Sequence, residues 1–470
     1  MPSLSIIDAF EDLPDPRMDR RKLHKLSDIM TLVLCGAVCG VDNWVEMERF
    51  ARAKERWFRT FLDLPNGIPS HDTLGRVFSL LDPDAFRRCF IAWVEGLSLV
   101  DVGDVVAIDG KTIRRSLDAA SGKGPLHLVN AWASDAGVAL GQLATATKSN
   151  EITAIPELLK LLDVRGSIVT TDAMGCQKAI AACIVKQEAD YALQLKDNHP
   201  TARTEAASYF ASEIGDTLVK SEATYLETTD GDHGRIEVRR YWLSTDIGWF
   251  EDAGAWPGLR AFGMVEAERT VGDGKTTVHR RYYLTTIEDV RRFAHAVRSH
   301  WGVENSLHWV LDMAFDEDHC RIRSGNAAEN FAIMRQVALN LLKQEKVEKV
   351  GIKTKRKMCG WDHNYLLTVL GLRPFRDEMR LPCRPTPGRS QSRPFGPNPL
   401  ANGSTRSNDV DHHPACAPAG SPDRRTLRPP WRRPAGCGGA RMPEWFPPRC
   451  RRAGTSPGWP TWTCPPASFA

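Results

Sequence analysis

The order of strand-like and helix-like runs between residues 101 and 197 constrains the fold more than any other feature. "DVVAIDG", "LHLVNAWAS" and "VALGQLATA" follow one another as three strand patterns bounded by turn residues. Then come helical "EITAIPELLKLLD", the strand pattern "SIVTTDA", helical "CQKAIAACIVKQE" and the strand pattern "DYALQLK". Strands joined by short turns pair antiparallel, whereas strands separated by a helix can pair in parallel. The pattern therefore predicts an α/β mixed sheet with an antiparallel hairpin region at one side. Upstream, residues 23–100 read as helices, with apolar residues at three- and four-residue steps in "LSDIMTLVLCGAVCG", "WVEMERFARAKERWFRTFL" and "PDAFRRCFIAWVEGL". Ser70 and Asp82 are candidate N-caps, and Pro83 stands at N1. A packed helical domain is expected, with "IPSHDTLGRVFSLL" as a candidate limb of a helix-turn-helix. Residues 198–285 are β-rich again and read as an insertion before the next helix. Within them "GDGKTT" lacks a phosphate loop's first glycine, since Arg269 stands there, so a hairpin turn is expected.

Bulk properties narrow the class. The chain of 470 residues is 42% hydrophobic and 26% charged, as in ordinary globular proteins. No apolar run approaches a membrane span, and the N-terminus lacks a signal-peptide pattern. Twelve Cys without a C-x-x-C pair fit a reducing, cytoplasmic setting. The net charge of +4 is unevenly spread: from Gly371 onward there are 16 Arg, no Lys and 6 acids, leaving about −6 on residues 1–370. That last segment also holds 20 of the 30 Pro. Residues 373–470 are expected to be a disordered C-terminal tail. Arg without Lys, mixed with Pro, Gly and Trp, is also what a GC-rich gene yields when read out of frame.

Two strand patterns deliver a carboxylate. Asp109 follows "VVAI" and Asp172 follows "SIVTT", each with a glycine soon after. Acids at strand ends of an α/β sheet lie where ligands bind. One would read as a helix cap; two on neighbouring strands point to a shared divalent ion. A third acid lies in "VRRFAHAVRSHWGVENSLHWVLDMAF", residues 290–315. At 100° per residue, Phe293, Val297, Trp301, Glu304, Leu311 and Phe315 all fall within about 40° of Val297. Glu304 thus sits in the apolar stripe, where a carboxylate needs a partner or a metal. His300 and His308, one turn either side, raise a zinc alternative, although the spacing is not H-E-x-x-H. Asp312, Asp316, Glu317 and Asp318 are rival third acids, but their run reads as a solvated face. Gly302 weakens this helix and marks a close approach of a strand or of DNA. Lys111, Arg114 and Arg115 beside Asp109 are candidate phosphate contacts. "KQEKVEKVGIKTKRK", residues 343–357, reads as a basic helix-end patch.

Taken together, "AIDGKTIRRS", "LHLVNAWA", "TTDAMGCQ", "YALQLKDNHP" and "SHWGVENSLHWVLDMAFDEDHCRIRSGNAAENFAIMRQVALNLL" resemble the bacterial insertion-sequence DDE transposases, in the branch that includes the H-repeat-associated proteins. The resemblance covers about residues 5–370 and stops before the tail. It implies a ribonuclease H-like mixed sheet with catalytic acids at Asp109, Asp172 and Glu304, the same residues holding Mg²⁺ (or Mn²⁺), two ions in all. It implies a helical transposase-associated domain over 1–100, a catalytic domain over 101–197 and 286–345, a β-rich insertion over 198–285 and a basic helical end over 346–372. Related enzymes carry Tyr, Arg and Lys around the last acid; here those positions are Val297, His300 and Leu311, with Arg298 and His300 as the available substitutes on DNA. The implied partners are double-stranded DNA, both terminal inverted repeats and target, and a second copy of the chain, with no membrane. The implied reaction frees a 3′-OH at the element end, which then attacks target DNA. A degenerate DNA-binding remnant and a metal-dependent nuclease without strand transfer are the alternatives.

Overall fold

A computed structural model of the chain describes residues 5–117, 122–145, 150–212, 224–232, 235–271 and 274–372. The expected tail, 373–470, lies outside the described residues. The helices of the first segment are α1 (Ile6–Ala9), α2 (Leu26–Val38), α3 (Trp44–Ala53), α4 (Glu55–Phe58), α5 (His71–Leu80) and α6 (Pro83–Gly96). Ser70 caps α5 by accepting from Thr73 N, and Asp82 caps α6 by accepting from Asp84 N, with Pro83 at N1. None of the described helices is long and apolar enough to cross a membrane.

Beyond residue 101 the chain builds β1 (Val105–Ile113), β2 (Leu126–Ala133), β3 (Val138–Thr145), α7 (Glu151–Leu161), β4 (Ile168–Thr171), α8 (Lys178–Lys186) and β5 (Asp190–Leu195). β1 and β2, and β2 and β3, pair antiparallel; β1 and β4, and β4 and β5, pair parallel. The strands between two helical layers are nearly continuous runs of buried residues, as sheets covered on both faces require.

The segment 198–285 is β-rich and lies between β5 and the next helix. It opens with a helix, α9 (Pro200–Ala211), and its strands form no separate insertion sheet. β6 (Tyr225–Asp232), β7 (Arg235–Ser244), β8 (Ala261–Val271) and β9 (Thr276–Thr285) form an antiparallel meander whose last strand pairs with β5. One nine-stranded mixed sheet results, in the order β3-β2-β1-β4-β5-β9-β8-β7-β6. The physical reason is edge satisfaction: β5 is buried and apolar, and its free N–H and C=O groups need a partner. Tyr282–Thr285 of β9 supply it.

After β9 come α10 (Val290–Ser299), a π-helical segment (Val303–His308), α11 (Trp309–Phe315), α12 (Ala327–Gln344), α13 (Ile352–Trp361) and α14 (His363–Val369). α12 is buried on nearly every side and packs on α2, α5, α6 and β3, so the first helices and the sheet share one core. Two of its buried polar residues bind backbone groups of the elements it packs on. Asn330 Nδ2 donates to the carbonyls of Phe78 and Leu81 at the end of α5. Asn340 accepts from Ala139 N at 2.9 Å and donates to Ala139 O at 2.8 Å, on the outer side of β3.

The basic stretch 343–357 does not turn all of its cations outward: Lys346, Lys349, Lys353 and Lys357 are exposed, Lys355 and Arg356 buried. α12 ends at Gln344, and two of the patch's cations point inward. Lys355 is buried against the carboxylate of Glu345 at 2.8 Å. Arg356 is buried, donates to Ala37 O at the end of α2 and to Ala314 O at the end of α11, pairs with Asp42 at 2.9 Å, and lies over the Phe315 ring. Helix C-termini leave carbonyls unpaired, and one guanidinium serves two of them. Arg356→Met is therefore expected to destabilise the full chain by about 3 kcal/mol in urea unfolding. Lys353→Met, at an exposed position of the same helix, should cost under about 0.5 kcal/mol.

Candidate active site

The parallel pairing of β1 and β4 brings the first two acids together. The register runs Val105↔Ile168 to Ile108↔Thr171 and stops there. Asp109 and Asp172 are the next residue on each strand. Asp109 is not at the end of its strand, as the sequence had indicated: β1 continues to Ile113, paired with β2 alone. Asp172 leaves β4 and caps a 3₁₀ turn, accepting from Met174 N at 3.0 Å and Gly175 N at 3.3 Å. A Cβ on Gly175 would lie 2.5 Å from Thr171 Oγ1, so the turn needs glycine there.

Glu304 comes from the π-helical segment. A single regular helix over 290–315 does not form; α10 ends at Ser299 and the π segment begins at Val303. A π turn holds an extra residue, so phases counted at 100° drift across it. Phe293, Val297, Leu311 and Phe315 are buried as expected, but Trp301 is 47% exposed and the Glu304 side chain 56% exposed. Glu304 therefore lies at the rim of the site and not inside an apolar stripe. Gly302 allows the close approach that its position implied: an added Cβ would meet Ser134 Oγ at 3.0 Å and Trp132 Nε1 at 3.1 Å.

His308 ties these acids together. Its Nδ1 lies 3.2 Å from Glu304 Oε2 and 3.6 Å from Asp109 Oδ2, and its Nε2 lies 3.2 Å from Asn130 Nδ2. Asn130 stands opposite Asp109 on β2 and takes a 2.7 Å hydrogen bond from Gln336 Nε2 of α12. Ligand atoms of Asp109, Glu304 and His308 all lie within 4.8 Å of one another. Asp109, Asp172 and Glu304 line one cleft of about 340 Å³, together with Gln194, Lys196, Arg281, Tyr283, His300 and Trp301.

The electrostatics follow from burial and crowding. Burial pushes the Asp109 carboxyl up to about 6; His308 and the Gly110 N–H oppose this, while Asp172 and Glu304 add to it. The hydrogen bond from His308 holds Glu304 below its usual range, against a partial desolvation. Burial brings His300 down to about 4, despite Asp172 nearby.

The expected phosphate contacts divide. Lys111 is buried, donates to His308 O at 3.1 Å, pairs with Asp312 and lies 3.4 Å from Glu317, so its charge is already taken up within the protein and it braces the site from behind. Two of the rival acids form that brace: Asp312 pairs with Lys111, and Glu317 is buried near Lys111 and Arg335; Asp316 is exposed, as a solvated face requires, and Asp318 pairs with Arg114. Arg114 and Arg115 are exposed. Arg298 is outside the cleft, with Asp230 4.0 Å away. His300 lines the cleft, its Nδ1 3.0 Å from Thr170 Oγ1, but a lowered pKa leaves it uncharged at neutral pH and so no cation for phosphate. Lys196 and Arg281 were not singled out. Their signal was period two: Gln194 pairs with Tyr283, and Lys196 and Arg281 are the next same-face positions.

The family model described as "Transposase DDE domain" matches residues 101–341, and the model "DDE_Tnp_1-associated" matches residues 7–94. YncI of Escherichia coli O157:H7 is 41% identical over 375 residues, 78% of this chain and 94% of the relative. The H repeat-associated protein YhhI of Escherichia coli K12 is 38% identical over 366 residues, 76% of this chain and 95% of the relative. The match to the cryo-EM structure of the piggyBac transposase synaptic complex with hairpin DNA covers 77% of each chain at 11% identity, with a TM-score of 0.36. With a family model spanning half the chain and relatives matched over almost their full length, the chain belongs to the DDE transposase family.

Proposed function

We propose that this protein is a DDE transposase that cuts the ends of its own insertion sequence and joins them to target DNA, with Asp109, Asp172 and Glu304 as the catalytic acids. The observation that carries the reading is the meeting of three carboxylates from β1, the β4 turn and the π segment on one cleft. A ribonuclease H-like core is part of the proposal, because the order β3-β2-β1-β4-β5 puts the first acid on the central strand and the second on its parallel neighbour.

The donor set fits a hard divalent cation. Three carboxylates offer only oxygen, as Mg²⁺ or Mn²⁺ prefers, and a bound cation would offset the burial and the neighbouring acids that raise the Asp109 carboxyl to about 6. Two ions per site is the proposed stoichiometry. Such ions, when bound, activate a hydroxyl nucleophile and offset charge on the leaving oxygen of a phosphodiester. The chain's own residues do the rest. The backbone donors of the β4 turn orient Asp172, and the His308 hydrogen bond orients Glu304. Arg281 and Lys196 place positive charge at the cleft, where the phosphate backbone of double-stranded DNA would lie. Water would first free a 3′-OH at the terminal repeat, and that hydroxyl would then attack target DNA.

Mg²⁺-dependent cleavage of the element's terminal repeats, followed by strand transfer, tests this directly. Asp109→Asn, Asp172→Asn and Glu304→Gln are each expected to lower cleavage by about a thousandfold or more, roughly 4 kcal/mol of barrier. Cleavage that survives Asp109→Asn would sink the site assignment. Cleavage without joining would mark a nuclease, and binding without cleavage a DNA-binding remnant.

Stability against pH gives a second check. The folded-state pKa of Asp109, about 6, lies above its ordinary value of 3.8. The fold therefore penalises its ionised form: stability present below pH 4 is lost as pH rises through 6. In EDTA, Asp109→Asn should exceed the wild type in urea stability at pH 8 by about 2 kcal/mol, and the difference should vanish near pH 4. Mg²⁺ or Mn²⁺ should stabilise the wild type at pH 8 and the variant far less.

A further inference from the structure

His308 has one ring nitrogen facing the acids and the other facing the protein interior, so it has two ways to serve the site. With a lone pair on Nδ1 it would be a metal ligand beside Asp109 and Glu304. With a proton on Nδ1 it would be a donor that holds those carboxylates and ligates nothing. In a neutral imidazole the bond made by the other nitrogen decides between these.

The interior side carries the argument. Nε2 of His308 faces the side-chain amide nitrogen of Asn130 at 3.2 Å, and an amide NH₂ can only donate. Asn130 is held in that orientation from its other end, because its Oδ1 accepts from Gln336 Nε2 at 2.7 Å. Asn130, Gln336 and His308 are all buried, so no solvent competes for these groups. Asn130 is on β2, directly opposite Asp109, and Gln336 is on α12 in the middle of the core. The carbonyl of His308 is fixed as well, by Lys111 at 3.1 Å.

We propose that the chain Gln336–Asn130–His308 sets the metal selectivity of the site: it forces the proton onto His308 Nδ1, so that His308 donates to Glu304 and Asp109 and the ligand set stays all oxygen. Asn130 and Gln336 are positioning residues in this scheme. An all-carboxylate set favours Mg²⁺ and Mn²⁺, whereas an added imidazole nitrogen favours Zn²⁺. The inference rests on the proposed metal site, but it concerns a tautomer that exists without metal or DNA.

The experiment uses the full chain labelled with ¹⁵N-histidine, metal-free at pH 8. Long-range proton–nitrogen correlation spectra distinguish the two tautomers, and the His308 signal is assigned by its loss in His308→Gln. The expected result is a protonated Nδ1 and a bare Nε2. Asn130→Asp replaces the interior donor with an acceptor, so it should move the proton to Nε2 and turn the Nδ1 lone pair toward the acids. In calorimetric titrations its Zn²⁺ affinity relative to Mn²⁺ should then rise about tenfold or more over the wild type. A wild-type His308 protonated on Nε2 overturns the proposal whether or not Asn130→Asp folds. So does an Asn130→Asp protein with a swapped tautomer and an unchanged Zn²⁺ to Mn²⁺ ratio. Absence of transposition with the Nδ1–H tautomer in place would count against the proposed function and leave this inference standing.

Discussion

The site depends on where one ladder of hydrogen bonds ends. β1 and β4 run parallel for four paired residues, and their next positions are both aspartates. While pairing lasts, side chains on adjacent strands are held within a few ångströms in fixed register. Just past its end the strands are still held by that register, yet their carboxylates no longer need to fit between neighbours. Two like charges are thereby kept close at a place open to solvent and to ligand. Their repulsion would part a flexible pair; here the apolar runs Val105–Ile108 and Ile168–Thr171, buried in the sheet, hold them in place.

A second layer converts that pair into a three-sided site. α12 lies against both the first helices and β3, and its polar residues reach into the sheet. Lys111, on the same face of β1 as Asp109, ties the strand to α11 and to Glu317. Glu304 is consequently positioned through His308, whose carbonyl is held by Lys111 and whose ring is held by Asn130. Buried ion pairs of this kind add little net stability, but losing one partner is costly, which makes them effective at fixing geometry.

The sequence carried the succession of strands and helices over 101–197, the two helix caps and the acids that end apolar runs, because each depends on residues close together in the chain. What it hid depends on distant ones. Gly110 looked like the turn that ends β1, but its missing side chain leaves room for Glu151, whose Oε1 would lie 2.2 Å from an added Cβ. Lys111 read as a phosphate contact because its protein partners are some two hundred residues later. The π segment has no local signature, so a count at 100° placed Trp301 and Glu304 in a buried stripe. The β-rich character of 225–285 was legible, yet the union of its strands with β5 rests on pairing across the chain.

Asn340 has a consequence of a different kind. Its carboxamide meets both backbone groups of Ala139 on the outer side of β3, much as a peptide group of a further strand would. A molecule that tried to extend the sheet along β3 would have to displace this covalently attached substitute, which is present at a very high local concentration. The sheet is terminated on that side from within its own core, and a side chain does for this border what a missing tenth strand otherwise would.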